Sequence, residues 1–331
     1  MQGAVSDGEQ KVIAILRVLS ESSSPLGSLA IARQLEDHGV LLSERTVRYH
    51  LKTTDERGFT VPMGRDGRMI TPEGLEELRF ALAPDQVSFM RHRLELLAFL
   101  TTFDPAKRTG QVPVNASFLD KERVNEAYAA MKCAFKAGLC VSELVAVADE
   151  GGKIGDVVVP SGKVGFATVC SVVINGVLLK SGVPTESRFG GVLEIRRWKP
   201  KRFVAVIDYG GTSVDPSEQY IRAHMTSVSQ AATTGNGRIL ANFREMPAPA
   251  RPVVEELIPM LKEAKIVGVY HLGNASESVC QVSIGLNRVG LVLLGGLNPL
   301  AAVSEAGIEA ENVGESGTVD YEQLVSFWDL V

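Results

Sequence analysis

The sequence predicts an α+β or α/β protein, with an N-terminal winged helix-turn-helix followed by an α/β domain made of two internally duplicated halves. Three observations predict it. Helical apolar stripes and a basic hairpin succeed one another over the first 80 residues. Short blocks then recur at a fixed offset of 125 residues. Glycine is also uneven: 10 of the 32 lie in residues 1–150 and 22 in 151–331, which separates a helical head from a body rich in tight turns. The organisation that follows is a winged helix at 1–80, a linker helix at 81–105 and a second domain at 106–331, with halves 106–230 and 231–331.

In the head, Val12, Ile13, Leu16 and Leu19 recur at helical spacing until ESSSPLG breaks the pattern. A second stripe, Leu29, Ile31, Ala32 and Leu35, ends at His38-Gly39. In LLSERTVRYHLKTTDERG, Ser43 is placed to cap a third helix that Gly58 ends. Thr46, Val47, His50 and Leu51 form its inner face, so Arg45, Arg48, Tyr49 and Lys52 face outward. FTVPMGRDGRMIT reads as two short strands around Arg65-Asp66-Gly67, with Asp-Gly as the hairpin signal. Thr71 and Pro72 open one more helix. A helix in the major groove needs donors on its outer face, and Arg45, Arg48 and Lys52 supply them, while Arg65 and Arg68 on the wing could hold phosphates. The expected surface for double-stranded DNA is therefore Ser43, Arg45, Thr46, Arg48, Tyr49, Lys52, Arg65 and Arg68. Residues 43–70 carry six cations against four acids, so the positive charge is local although the chain as a whole carries −5. A solvated charged face on a protein-interaction domain is the competing reading.

The linker helix is predicted to open at Pro84-Asp85 and to end at Asp104-Pro105, with Val87, Met90, Leu94, Leu97 and Leu100 on one stripe. That stripe needs a partner, either the following domain or a second copy. Beyond it, Gly110, Ala116 and Phe118 recur as Gly235, Ala241 and Phe243, VVVPSGKVGF (157–166) as VSIGLNRVGL (282–291), and Gly182-Val183 as Gly307-Ile308. Each half reads as a strand (112–119; 238–244), a helix (120–137; 250–265), a second strand (139–147; 266–272) and a glycine-punctuated apolar segment (157–179; 282–303). The first half carries an insertion at about 185–230, with strands near VLEI and RFVAVIDYG.

Composition narrows the function classes. No apolar run approaches the ~20 residues of a membrane span. The first residues show no secretory pattern, and Cys133, Cys140, Cys170 and Cys280 are dispersed, so a cytoplasmic protein without a metal site is expected. No G-x-S-x-G, H-E-x-x-H or dinucleotide fingerprint occurs, so no catalytic residues and no cofactor are expected. Four loops could receive a small anion: YGGTSVDPSEQYIRAH (209–224), SRFGG (187–191), ANFREMP (241–247) and GGLNP (295–299). In the first, Asp215 would cap a helix, Pro216 would begin it and Glu218 would complete the cap, leaving the loop amides for an anion. Arg188 and Arg244 can grip a carboxylate through two parallel hydrogen bonds. They map onto Val313 and Leu119, so each Arg occurs in one half only, as one shared ligand or simple drift would leave it.

TVCSVVINGVLLKSGVP, SRFGG, GTSVDP, MTSV, FREMP and GGLNP, in that order, resemble the effector domain of the archaeal nitrogen-regulatory repressors (NrpR-like proteins), and LLSERTVRYHLKTTDERG with its GRDGR wing resembles their winged helix. The likeness covers almost the whole chain. It implies a homodimeric repressor of nitrogen-assimilation genes whose effector is 2-oxoglutarate. Some members carry two effector domains, and this chain has room for one. For such a small dicarboxylate the expected contacts are Ser187, Arg188, Gly211, Thr212, Ser213, Arg244 and Asn298. The alternatives are a small-metabolite enzyme with an accessory DNA-binding head and a scaffolding module.

Overall fold

The computed structural model describes residues 7–331 except 23, 38 and 83–88, so His38, Pro84, Asp85 and Val87 lie outside the described residues. The chain forms two compact units, 1–87 and 88–331.

The first unit is a winged helix. It comprises α1 (Asp7–Ser20), α2 (Ser28–Asp37), α3 (Glu44–Glu56), strands β1 (Thr60–Pro62) and β2 (Arg68–Ile70), and α4 (Pro72–Leu82). Ile15, Leu19, Ile31, Leu35, Val47 and Leu51 from the first three helices form its core. The capping residues read from the sequence are in place: the Ser43 hydroxyl accepts from the Thr46 amide at 3.1 Å, and the Thr71 hydroxyl accepts from Gly74 at 3.0 Å. β1 and β2 pair antiparallel, and Leu26 bridges to Arg68, so the wing is fastened to the loop before α2.

The second unit opens with α5 (Phe89–Leu100). The first repeat follows: β3 (Gln111–Asp120), α6 (Val124–Lys136), β4 (Leu144–Ala148), β5 (Lys153–Ile154), β6 (Val157–Val158), β7 (Lys163–Val169), α7 (Val172–Lys180) and β8 (Glu186–Arg196). Then come β9 (Lys199–Asp208), α8 (Pro216–Arg222) and α9 (Val228–Thr234). The second repeat is β10 (Gly237–Pro247), α10 (Arg251–Glu263), β11 (Val269–Ala275), β12 (Arg288–Leu294), α11 (Asn298–Glu305) and β13 (Ala310–Asp320), and β14 (Val325–Ser326) closes the chain.

The 125-residue offset is carried by the elements themselves: β7 spans 163–169 and β12 spans 288–294. Gly182 and Gly307 both sit just past a helix with left-handed φ of 77° and 73°, and the next amides, Val183 and Ile308, reach back to Leu178 and Val303. This is the same helix-ending turn in both halves, and it requires a residue without a Cβ strain penalty. VLEI (192–195) does not belong to the insertion. It lies in β8, the counterpart of β13, and the inserted material begins after Arg196.

The two five-stranded sheets are antiparallel, ordered β11-β12-β10-β8-β9 and β13-β3-β7-β4-β14. The last strand of each repeat therefore pairs with the first strand of the other, β8 with β10 and β13 with β3. The halves interlock through exchanged strands. One apolar cluster draws on both sheets and on α6, α7, α9 and α11. α7 and α11 are apolar nearly all round, and Val172–Leu178 and Asn298–Val303 are buried throughout, as helices enclosed by sheets must be. α5 buries Met90, Leu94, Leu97 and Ala98 against Cys170, Val172 and Tyr209 of the same unit, whereas Leu100 is exposed.

Candidate functional site

On α3 the outward set is as expected. Arg45, Arg48, Tyr49 and Lys52 are exposed, while Val47, His50, Leu51 and Thr54 are buried. Arg48 pairs with Glu44 one turn earlier, and Lys52 lies 3.8 Å from Glu56. Both are exposed pairs, easily displaced by a more concentrated anion. Ser43 and Thr46 are joined by a 2.8 Å hydroxyl contact at the helix start, where they shape the cap. Arg65 is exposed at the wing tip. Arg68 differs from its expected role: its Nε donates to Asp55 at 2.8 Å, and Asp55 also accepts from Thr60 at 2.6 Å. The Arg68 guanidinium thus ties the wing to α3.

In the second unit the polar residues converge on Arg244, in the middle of β10. It is 1% exposed, which is extreme for a guanidinium. A β-bulge between β8 and β10 makes the pairing jump from Phe243 with Phe189 to Arg244 with Ser187, so Ser187 stands opposite Arg244 and Arg188 is left over. Arg244 Nε donates to Asn175 Oδ1 at 3.2 Å, and Asn175 Nδ2 donates to Ser187 Oγ at 3.1 Å. Among the described residues, Arg244 Nη1 reaches only the Phe243 carbonyl at 3.3 Å, and Nη2 has no hydrogen-bond partner. The guanidinium carbon lies 5.2 Å from the Tyr209 ring centroid. The Tyr209 hydroxyl donates to Asn242 at 2.5 Å, and Asn242 in turn donates to Ser171 at 2.9 Å. Burial pushes the Tyr209 phenol far above its ordinary range, so it acts as a neutral donor. Arg244 is therefore a buried cation whose hydrogen bonds, among the described residues, go only to neutral groups, with Nη2 left unpartnered.

The other expected anion contacts are placed differently. Arg188 pairs with the buried carboxylate of Glu245, which also accepts from Arg288 at 3.3 Å. Asn298 is a backbone clamp: it accepts from the Leu240 amide at 2.8 Å and donates to the Leu240 carbonyl at 3.0 Å. Asn298→Ala would leave the buried Leu240 amide unpaired, while the Leu240 carbonyl keeps the Gly295 amide at 2.9 Å. It is expected to cost about 1–3 kcal/mol, read as a lowered denaturation midpoint. The glycine of SRFGG makes room for protein rather than ligand, since a Cβ on Gly190 would lie 2.9 Å from the Tyr209 hydroxyl.

The GTSVDP loop is also used otherwise. Asp215 does cap α8, accepting from Glu218 at 2.8 Å, and its own carboxylate thereby occupies the amides an anion would need. Glu218 does not close the reciprocal cap but accepts from Gly314 across the unit at 2.7 Å. Thr212 bonds within its own loop to Val214, and Gly211 is the last residue of a 3-10 turn. Ser213 lines a cavity of about 370 Å³ together with Asp215, Glu218 and Glu315. Arg93 and Arg222 line the same cavity, so its charge is mixed. Burial raises all three carboxyls, and repulsion from Asp215 adds to this at Glu218, which reaches about 7, and at Glu315. The native state then keeps the Glu218 proton to higher pH than the unfolded chain, whose value is near 4.5. This contribution to stability is full below 4.5 and is lost as pH rises through about 7. Glu218→Gln keeps the acceptor for Gly314. It is expected to flatten the fall in melting temperature between about pH 5 and 8, by on the order of 2 kcal/mol at the upper end; an unchanged slope would contradict this assignment.

Asn175, Tyr209, Asn242 and Ser171 were not legible as site residues in the sequence. Tyr209 and Asn242 fall within the YGGTSVDPSEQYIRAH and ANFREMP segments, and the signal for Asn175 was an amide inside the otherwise apolar run VVINGVLL. Among the described residues no group of His, Cys, Asp and Glu is arranged to hold a metal ion, and no helix is long and apolar enough to cross a membrane.

Comparison with known proteins bears on both units. Residues 87–326 match the family model for NrpR regulatory domains NRD1 and 2, and residues 13–78 match that for the ribonuclease R winged-helix domain. The chain is 37% identical to the global nitrogen regulator NrpRI of Methanosarcina mazei, over 96% of its own length and 97% of the relative's. It is 30% identical to the global nitrogen regulators NrpR of Methanococcus maripaludis and Methanocaldococcus jannaschii, over 90% and 97% of its length. It spans about half of those two longer chains, 52% and 55%. A crystal structure of a nitrogen repressor-like protein from Methanococcus jannaschii superposes with a TM-score of 0.59 at 28% identity, covering 73% of this chain and 98% of that one.

Proposed function

The chain belongs to the NrpR family of nitrogen regulators, and from that membership we propose that it is a DNA-binding repressor of nitrogen-assimilation genes relieved by 2-oxoglutarate. The observation that carries the effector half of this reading is Arg244, a fully buried guanidinium with one nitrogen unpartnered and no carboxylate bound to it. A buried guanidinium with no carboxylate hydrogen-bonded to it is incompletely compensated, and a small carboxylate ligand reduces that cost. 2-Oxoglutarate offers a carboxylate to the unpartnered Nη2 of Arg244. The DNA half rests on the exposed cations of α3 and the winged-helix match.

Relief of repression requires the ligand to bind the DNA-free form more tightly than the bound form. In a homodimer, a shift in the spacing of two recognition helices away from half-sites ~34 Å apart provides that difference. The regulator reading is preferred over a metabolic enzyme because the relatives are named as nitrogen regulators. Selecting bound duplexes from a random pool with the full chain, then titrating a selected duplex with and without 2-oxoglutarate, tests the proposal. Weakened binding with ligand is expected. Absence of DNA binding at moderate salt, or indifference to the ligand, overturns it.

A further inference from the structure

The most concentrated positive charge in the molecule is not on the winged helix. It is the β8–β9 hairpin, RRWKPKR, where Arg196, Arg197, Lys199, Lys201 and Arg202 fall within seven residues that include no acid. All five side chains are exposed, and Trp198 among them is 48% exposed. Glu194 pairs with Arg196 at 2.7 Å and with Arg202 at 2.8 Å. Among the described residues Arg197, Lys199 and Lys201 form no ion pair, so the tip keeps at least three uncompensated charges.

The tip is also held in shape. Arg197 and Trp198 both adopt left-handed backbone, φ 50° and 64°, as the two central positions of a two-residue hairpin turn require. Four contacts enforce it. The Arg197 amide donates to Asn236 at 3.1 Å, the Trp198 amide donates to the Gly235 carbonyl at 2.9 Å, and the Tyr270 hydroxyl donates to the Trp198 carbonyl at 3.0 Å. The indole packs so closely on Gly235 that a Cβ there would lie 2.5 Å from it. The second repeat has no counterpart, since Tyr321-Glu322-Gln323 follows β13 at the matching place.

We infer that this hairpin is a second nucleic-acid contact, binding the phosphate backbone of duplex DNA through Arg197, Lys199 and Lys201. The inference rests on the DNA-binding reading above and adds a contact from the second unit. A fixed row of cations beside an aromatic ring suits phosphates and sugars, and phosphate contacts carry affinity without sequence information. An anionic membrane fits less well, because the indole is braced against Gly235 rather than presented as a free wedge.

The test is fluorescence-anisotropy titration of the full chain on a selected duplex across a salt series. The variants are Arg197→Ala/Lys199→Ala/Lys201→Ala and the charge-retaining Arg197→Lys. The triple variant is expected to bind roughly tenfold or more weakly at low salt, and to lose about two to three from the slope of log affinity against log salt, with sequence preference unchanged. Arg197→Lys keeps the parent slope. An unchanged slope in the folded triple variant, checked by its melting temperature, overturns the hairpin contact alone. Loss of binding to anionic lipid vesicles with no change on DNA overturns it in favour of a membrane surface. Failure of the parent chain to bind any duplex overturns both readings and is distinguishable from the other outcomes.

Discussion

Arg244→Met abolishes the response to 2-oxoglutarate while operator affinity in the absence of ligand stays at the parent value. Methionine fills much of the same volume and removes a cation that has one nitrogen unpartnered. Replacing incompletely compensated buried charge by apolar side chain is often neutral or stabilising, so the melting temperature is not expected to fall sharply. Asn175 Oδ1 loses a donor, which offsets part of any gain. Removing the charged partner of a buried carboxylate typically costs about 2–5 kcal/mol of binding, enough to carry the effector out of a millimolar titration range. Arg244→Lys keeps the charge without the planar fork and recovers only part of the affinity. The measurement is operator binding against rising 2-oxoglutarate, with calorimetric titration of ligand alone. A parent-like response in Arg244→Met would reduce Arg244 to a structural residue.

Arg48→Ala weakens operator binding by about 1–3 kcal/mol and relaxes preference at one base position, provided it reads a base edge. Arg48 sits one turn into α3 on its exposed face, and its partner Glu44 is itself partly exposed and also accepts from Ser28 at 3.0 Å. Glu44 is held below the ordinary carboxylate range by these hydrogen bonds, so it stays ionised and keeps Arg48 oriented. DNA must displace or share that pair. Arg68→Ala provides the contrast. Since Arg68 is bound to Asp55, its loss loosens the wing and lowers stability together with affinity, whereas Arg48→Ala leaves the melting temperature unchanged. Equal affinities for parent and Arg48→Ala would remove this residue from the reading surface.

The difference between these two sites also explains what was readable beforehand. The winged-helix face is a local property. Ser43, the inward Val47, His50 and Leu51, and the outward Arg45, Arg48, Tyr49 and Lys52 follow from 3.6-residue periodicity and a cap. Arg68 departed from expectation because its partner Asp55 lies 13 residues away on another element. The effector site was legible only in part. Arg244 and Ser187 stood out as residue types in short motifs, but a bulge opposite Phe243 places them face to face, and no spacing rule reports a bulge. Asn175, Tyr209 and Asn242 come from a helix, a turn and a strand that share no local pattern. Thr212, Ser213 and the α8 start read as an anion nest, and the carboxylate of Asp215 claims those amides instead.

By itself the sequence determined the helical head, its cap-defined recognition helix, the 125-residue repeat and the turns at Gly182 and Gly307. All of these depend on residues within a few positions of one another or on direct self-similarity. Only the tertiary structure decided that the two repeats exchange their last strands, that a bulge turns Ser187 toward Arg244, and that Arg244 is enclosed with one nitrogen unmatched. The physical reason is range. Capping and periodicity are settled by neighbouring backbone, whereas the charge balance of a buried side chain depends on which distant groups the fold brings within hydrogen-bonding reach.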